Sequence, residues 1–377
     1  MTMSRRRFLK TSAASAAAIP FATAVGIDYC EAATGVPIDL SMGFPPDATR
    51  LNYNENTLGP SPKAVEGAVA GARMANRYAL SGLLPPHIGQ YHDIDPDWVL
   101  MGNGSSEILR LAPIAFGRQG GNLVSGLETW GGLLAVADNL GMDVRRLPLD
   151  RETGYAFDVD RMLDAVDAET RMVMVVSPNN PTGATLSYAE IKQVADNLPD
   201  GVLFVLDQAY IDYYDEGPSG LDLVREGYKN VLVTQTFSKA FALAGLRCGY
   251  GLAHPDILAE IKKFGTGPAS INIAGYGAIM GSLDDPGHAI RSREYVQKTR
   301  QFYERGFADL GLDVVSGPPP FMLFETGDRS QEIFDELLAR KIFITHGKSW
   351  NMPDYLRVSY GTEEENETFL AAMKTIV

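Results

Sequence analysis

The sequence predicts an α/β protein built on a mostly parallel sheet, with a second, smaller α/β domain towards its C-terminal end. Three observations carry that expectation. Between about residues 97 and 253, apolar β-branched runs alternate with helical stretches, the pattern of strand–helix–strand units. The runs are continuous, as in Arg171-Met-Val-Met-Val-Val-Ser177, which suits strands covered on both faces. Beyond Leu283-Asp-Asp-Pro286 the chain changes to long charged helical segments through Gly311, then short strands around Phe321 and Ile342.

Composition narrows the function classes. The chain has 377 residues, 45% hydrophobic and 21% charged, with 38 Gly and 22 Pro dispersed rather than repeated. Such a chain is globular and long enough for two domains. Lys and Arg number 33 against 47 Asp and Glu, a net charge of −14. That balance excludes a broad nucleic-acid face. Two cysteines, Cys30 and Cys248, supply neither a disulfide framework nor a zinc site, and no metal is expected.

In chain order, the first element reads as an address. Ser4-Arg-Arg-Arg-Phe-Leu-Lys10 precedes a small-residue apolar stretch from Thr11 to Ala24, with no acidic residue before Asp28. This predicts a twin-arginine signal peptide over 1–24, export to the periplasm and contact with the export machinery. The stretch is too short and too alanine-rich for a stable membrane span. Residues 25–50 read as an N-terminal extension, 51–282 as a large domain and 283–377 as a small one.

Within the large domain, polar residues cluster where strands end. Gly102-Asn-Gly-Ser-Ser-Glu107 follows a short strand at Trp98–Met101 and opens a helix near Glu107. Free amides at a helix start attract phosphate, although a plain capping turn reads the same way. Ser177-Pro-Asn-Asn-Pro-Thr-Gly183 makes a rigid turn that places Asn180 at the sheet edge. Ser187 and Glu190 form a capping box for a helix to Asn197. The strand Val202–Leu206 ends directly on Asp207, a carboxylate that needs a cationic or hydrogen-bonding partner there. The strand Asn230–Thr236 leads into Phe237-Ser-Lys239, with Arg247 eight residues on. A lysine at a strand end, in company with Thr236 and Ser238, can form a Schiff base.

Taken together, a glycine-rich turn, Asn-Pro-Thr-Gly, Asp-x-x-Tyr, Ser-Lys and Arg in that order resemble the fold-type I pyridoxal 5'-phosphate aminotransferases, in particular the histidinol-phosphate aminotransferase branch. The stretches "RLNYNENTLGPSPKA", "VVSPNNPTG", "TFSKAFALAGLRCGY" and "YLRVSYGTEEEN" carry the resemblance from Leu51 to the C-terminus. It implies transamination between an L-amino acid and a 2-oxo acid on pyridoxal 5'-phosphate. Lys239 would carry the cofactor as a Schiff base and then move the substrate α-proton. Asp207 would keep the pyridine nitrogen protonated, and Tyr210 and Asn180 would hold the ring oxygen. Ser105, Ser106, Thr236, Ser238 and Arg247 would hold the phosphate, and Trp130 in "LETWGG" would stack on the ring. Arg357 would clamp the substrate carboxylate. Tyr78 would reach the phosphate of a second subunit, which implies a homodimer with shared sites.

The chain departs from the branch in places. Where an arginine holds the substrate phosphate, about twelve residues before the carboxylate arginine, it has Thr345 followed by His346. Gln208 replaces the acidic residue of "DEAY", and "NRYP" is "NRYALSG". These departures disfavour histidinol phosphate, and Tyr53, His346 and Trp350 are the candidates for the side-chain pocket. Racemase, β-lyase, decarboxylase or oxidase chemistry, or a non-catalytic cofactor-binding protein, are the alternatives on the same fold.

Overall fold

Strong apolar runs and short polar turns give the chain a layered order. The computed structural model describes residues 43–79, 81–215, 217–267 and 271–377. The expected signal peptide at 1–24 and most of the 25–50 extension lie outside the described residues. Thr49–Val377 forms one compact unit.

The large sheet is built from β2 (Val99–Asn103), β3 (Asn122–Gly126), β4 (Asp143–Leu147), β5 (Thr170–Val176), β6 (Leu203–Asp207), β7 (Val231–Thr236) and β8 (Cys248–Ala253), β1 being the short Thr49–Arg50. Its order is β2-β8-β7-β6-β5-β3-β4. All neighbours from β7 to β4 pair in parallel, while β8 runs antiparallel to both β7 and β2. The sheet is thus mostly parallel, as the sequence predicts. Its inner strands are covered on both faces: β6 and β7 are buried throughout, which explains their unbroken apolar reading. Helices α1 (Pro62–Ala72), α2 (Ser105–Gly117), α3 (Gly132–Asn139) and α4 (Tyr188–Asn197) follow in this part of the chain. Ser187 caps α4, and both hydrogen bonds of the capping box with Glu190 are present.

After Ala253 the chain continues in α5 (Ile273–Leu283) and the long α6 (Gly287–Asp309). The antiparallel second sheet, in the order β12-β13-β10-β9, combines β9 (Val314–Ser316), β10 (Phe321–Glu325), β12 (Thr345–His346) and β13 (Tyr355–Ser359), while β11 (Ile342–Phe343) pairs with β1 instead. Aromatic side chains fill its core: Phe307 lies stacked 4.6 Å from Phe324, and Tyr303 stacked 5.4 Å from Tyr360. No helix of the described residues is long and apolar enough to cross a membrane.

Two details place the site. Successive parallel strands deliver Val176, Asp207 and Thr236 to the same sheet edge, since each is the last residue of its strand. Meanwhile Leu51 is anchored to the second sheet, its carbonyl accepting the Ser359 N–H at 2.9 Å. The segment that follows, Asn52–Asn54, is thereby laid across the mouth of the edge.

Candidate active site

The strand ends open into a cleft of about 420 Å³. Of the residues expected from sequence, it brings together Ser105, Ser106, Trp130, Asn180, Asp207, Tyr210, Thr236, Ser238, Lys239, Arg247 and Arg357, with Tyr53 at its rim. Its geometry divides into an anion cradle, a central acid and a buried arginine.

The cradle forms where β2 turns into α2. Gly104 makes that turn at φ 76°, and a Cβ there would stand 2.5 Å from the Arg247 guanidinium. Gly249 on β8 presses equally close, since its Cβ would meet the Ser105 amide nitrogen at 2.2 Å. Both glycines leave room for the guanidinium and the first amides of α2 to converge. Arg247 donates to Ser106 Oγ at 3.1 Å and to the Ala244 carbonyl at 2.9 Å. Thr236 Oγ1 lies 3.0 Å from both Ser238 Oγ and the Cys248 carbonyl and accepts the Ser238 N–H at 3.1 Å. Helix amides, a guanidinium and three hydroxyls are the donor set for a phosphate dianion. The helix begins at Ser105 rather than near Glu107, because Glu107 reaches back to accept the Asn103 N–H at 2.6 Å and so caps the turn.

At the centre, Asp207 is buried and accepts from Thr234 Oγ1 at 3.0 Å and from the Ala209 N–H at 3.2 Å, both on Oδ1. Burial pushes its carboxyl up to about 6, against those two hydrogen bonds and the charge of Lys239. A buried carboxylate so weakly compensated is suited to a cationic ring nitrogen. Lys239 Nζ donates to the Tyr53 and Asn54 carbonyls at 3.0 and 3.3 Å and lies 5.6 Å from the Tyr210 ring centre. Tyr210 Oη accepts the Asn54 side-chain amide at 2.9 Å. The cradle, the acid and the lysine match the phosphate, ring nitrogen and carbonyl of pyridoxal 5'-phosphate.

Arg357 is buried on β13 and donates to Asn180 Oδ1 at 2.5 Å, the Asn52 carbonyl at 2.6 Å and Thr345 Oγ1 at 3.1 Å. Its guanidinium lies 4.7 Å from the Trp350 ring centre and 5.2 Å from that of Phe321. Burial lowers its pKa to about 10, so it stays cationic at neutral pH. Of its five N–H donors these bonds use three, and Nε is buried without a partner among the described residues.

One expected position differs, that of His346. His346 is not in the cleft: its Nδ1 accepts the Lys348 N–H at 3.2 Å and its ring faces Phe334 at 5.6 Å. Side chains alternate along β12, so Thr345 points in and His346 points away. Gln208 is buried, donating to the Pro218 carbonyl and accepting the Gly220 N–H, each at 3.0 Å; it braces a loop. Tyr78 stands outside the cleft of its own chain, 87% exposed beside α1 and α5. Sequence reasoning missed Asn52, Asn54 and Ser359. The repeated asparagine in "LNYNEN", in a segment anchored by buried Leu51, was the available signal. Among the described residues no cluster of acidic, histidine or cysteine side chains could hold a metal ion.

Comparison with known proteins accords with this geometry. The family Aminotransferase class I and II matches residues 47–373. Histidinol-phosphate aminotransferase from Symbiobacterium thermophilum is 33% identical over 330 residues, covering 87% of this chain and 90% of that protein. The solved histidinol-phosphate aminotransferase from Sinorhizobium meliloti in complex with pyridoxal-5'-phosphate has TM-score 0.81 at 23% identity, covering 87% of this chain and 90% of its own. L-threonine-O-3-phosphate decarboxylase from Porphyromonas gingivalis has TM-score 0.75 at 20% identity, covering 86% and 98%. The two structures share the fold-type I architecture while differing in reaction, so fold alone does not choose the chemistry. Family and fold agree with a cleft that joins a lysine, a buried acid and an anion cradle: the chain belongs to the class I and II aminotransferases.

Proposed function

We propose that this protein is a pyridoxal 5'-phosphate-dependent aminotransferase that takes the amino group of an L-amino acid with an uncharged side chain and passes it to a 2-oxo acid. The observation that carries the reading is Arg357, a buried cation with donors to spare beside Asn180 and Trp350. A substrate α-carboxylate supplies the anion such a site lacks.

When bound, the cofactor supplies an electron sink for the bonds of the substrate α-carbon. The chain's own residues do the rest. Ser105, Ser106, Ser238 and Arg247 would hold the phosphate and Asp207 the protonated ring nitrogen. Trp130 would cover one face of the ring, and Tyr210 and Asn180 would hold the ring oxygen. Lys239 would first hold the cofactor covalently. Displaced by the substrate amine, its Nζ would then carry the proton from the α-carbon. Arg357 would fix the carboxylate, which keeps that α-proton within reach of Nζ.

The charge inventory supports the uncharged side chain. Among the described residues the cleft is lined by four charged groups, Asp207, Lys239, Arg247 and Arg357, and each has a place above. Near Arg357 stand Asn52, Thr345 and Trp350, and Tyr53 lines the same cleft. A phosphate or second carboxylate there would forfeit its hydration without meeting a new cation.

The test offers the holoenzyme single donors (L-phenylalanine, L-leucine, L-aspartate and L-histidinol phosphate) with pyruvate, an acceptor whose side chain is likewise uncharged, and follows alanine formation. The uncharged α-amino acids should turn over at least about tenfold faster, in kcat/KM, than the other two. Best turnover of histidinol phosphate, or release of carbon dioxide instead of a keto acid, would refute the reading.

We also propose export through the twin-arginine route, on the basic and small-residue pattern of 4–24. Exchanging Arg5 and Arg6 for lysine should leave the protein in the cytoplasm on fractionation.

A further inference from the structure

The Tyr210 hydroxyl has one proton to give, and the structure controls where it goes. Asn54 is 2% exposed and holds a left-handed backbone at φ 54°. Its backbone N–H donates to Ser359 Oγ at 2.9 Å, so the serine oxygen is already an acceptor. The serine hydroxyl then donates to Asn54 Oδ1 at 2.8 Å. That bond turns the amide so that Nδ2 faces Tyr210 and donates to its oxygen at 2.9 Å. With the amide reversed, the buried serine proton would lose its acceptor. Tyr210 therefore receives a hydrogen bond from behind, and its own proton makes no hydrogen bond among the described residues. It is left to be donated into the cleft that Tyr210 lines.

We propose that Asn54, locked by Ser359, is a positioning residue that aims the Tyr210 proton at the cofactor's ring oxygen. The inference rests on the cofactor reading above. Ser359 sits two residues from Arg357 on β13, hence on the same face of the strand. Arg357 also donates to the Asn52 carbonyl, and Lys239 Nζ to the carbonyls of Tyr53 and Asn54. One three-residue strap therefore touches the carboxylate arginine, the lysine and the tyrosine. A proton donated to the ring oxygen stabilises that oxygen as an anion, the state in which the cofactor-bound Lys239 nitrogen has released its proton. Tyr210, so aimed, lowers the pH at which the bound cofactor changes its visible absorbance.

The test is a pH titration of that absorbance in the holoenzyme and in N54G, S359A, Y210F and the N54G/Y210F double variant. Glycine accepts a φ of 54°, so N54G removes the amide without straining the turn. S359A frees the amide by a different route. The midpoint should rise by about one pH unit in N54G and by a smaller step in S359A, about the worth of one charge-assisted hydrogen bond. Adding N54G to Y210F should move it no further, because Asn54 acts through Tyr210. An unchanged midpoint in N54G and S359A, or an equal shift from N54G in the Y210F background, would overturn the proposal. Failure of the unmodified protein to bind pyridoxal 5'-phosphate with a titrating visible band would instead overturn the functional reading, and this inference with it.

Discussion

Asp207 is held at a disadvantage in the cofactor-free protein. Its carboxyl has an ordinary pKa of 3.8 and is pushed up to about 6 by burial. A raised folded-state value means that the folded protein binds the proton more tightly than the unfolded chain does. The stability this confers is complete below about pH 4 and is lost as pH rises through about 6. A two-unit difference corresponds to about 3 kcal/mol. We therefore expect D207N to melt at a higher temperature than the cofactor-free parent at pH 7, and the gap to close at pH 4, as read by thermal scans. The same variant should lose at least about a hundredfold in kcat, because a neutral amide cannot keep the ring nitrogen protonated. Equal melting at both pH values would show that Asp207 is not destabilised by its burial.

At the scale of elements, the anion cradle depends on how close β8, α2 and Arg247 come. G104A would place a methyl group 2.5 Å from the guanidinium, at a φ of 76° that alanine resists. Its dissociation constant for pyridoxal 5'-phosphate should rise by about tenfold or more, while K239A retains the cradle and binds the cofactor noncovalently. Equilibrium dialysis checks both, and unchanged affinity in G104A would dismiss the cradle. This scale also shows what could be read in advance. Strands β5, β6 and β7 were legible because burial on both faces leaves an unbroken apolar run. The residues just beyond them were legible because each sits within a few positions of a strand end. The Asn54–Ser359 contact was not, since its members are 305 positions apart and neither lies in a distinctive turn. His346 was misplaced for a simpler reason: a two-residue strand gives too little alternation to tell its two faces apart.

For the whole molecule, the unanswered side chain is Tyr78. It is exposed together with Met74 and Leu83 along the groove of α1 and α5, where Gly67 and Gly277 let the two helices touch backbone to backbone. We propose that a second copy covers this groove and receives Tyr78 at its own phosphate cradle. Mixing makes the test specific. Y78A and K239A should each be nearly inactive, yet co-refolded subunits should recover roughly a quarter of parental activity, because half of the dimers carry one intact site. No recovery, with dimers present by light scattering, would mean that Tyr78 serves no neighbouring site.

The strap over the cleft has a consequence for how the protein folds. Asn54 and the serine that locks it lie 305 positions apart, so the strap is set only once β13 has joined the second sheet. Until then neither the Asn54 amide nor Arg357 is in place beside Tyr210 and Asn52. A chain whose large sheet has formed would still lack these contacts, and docking of β13 would be what completes the strap.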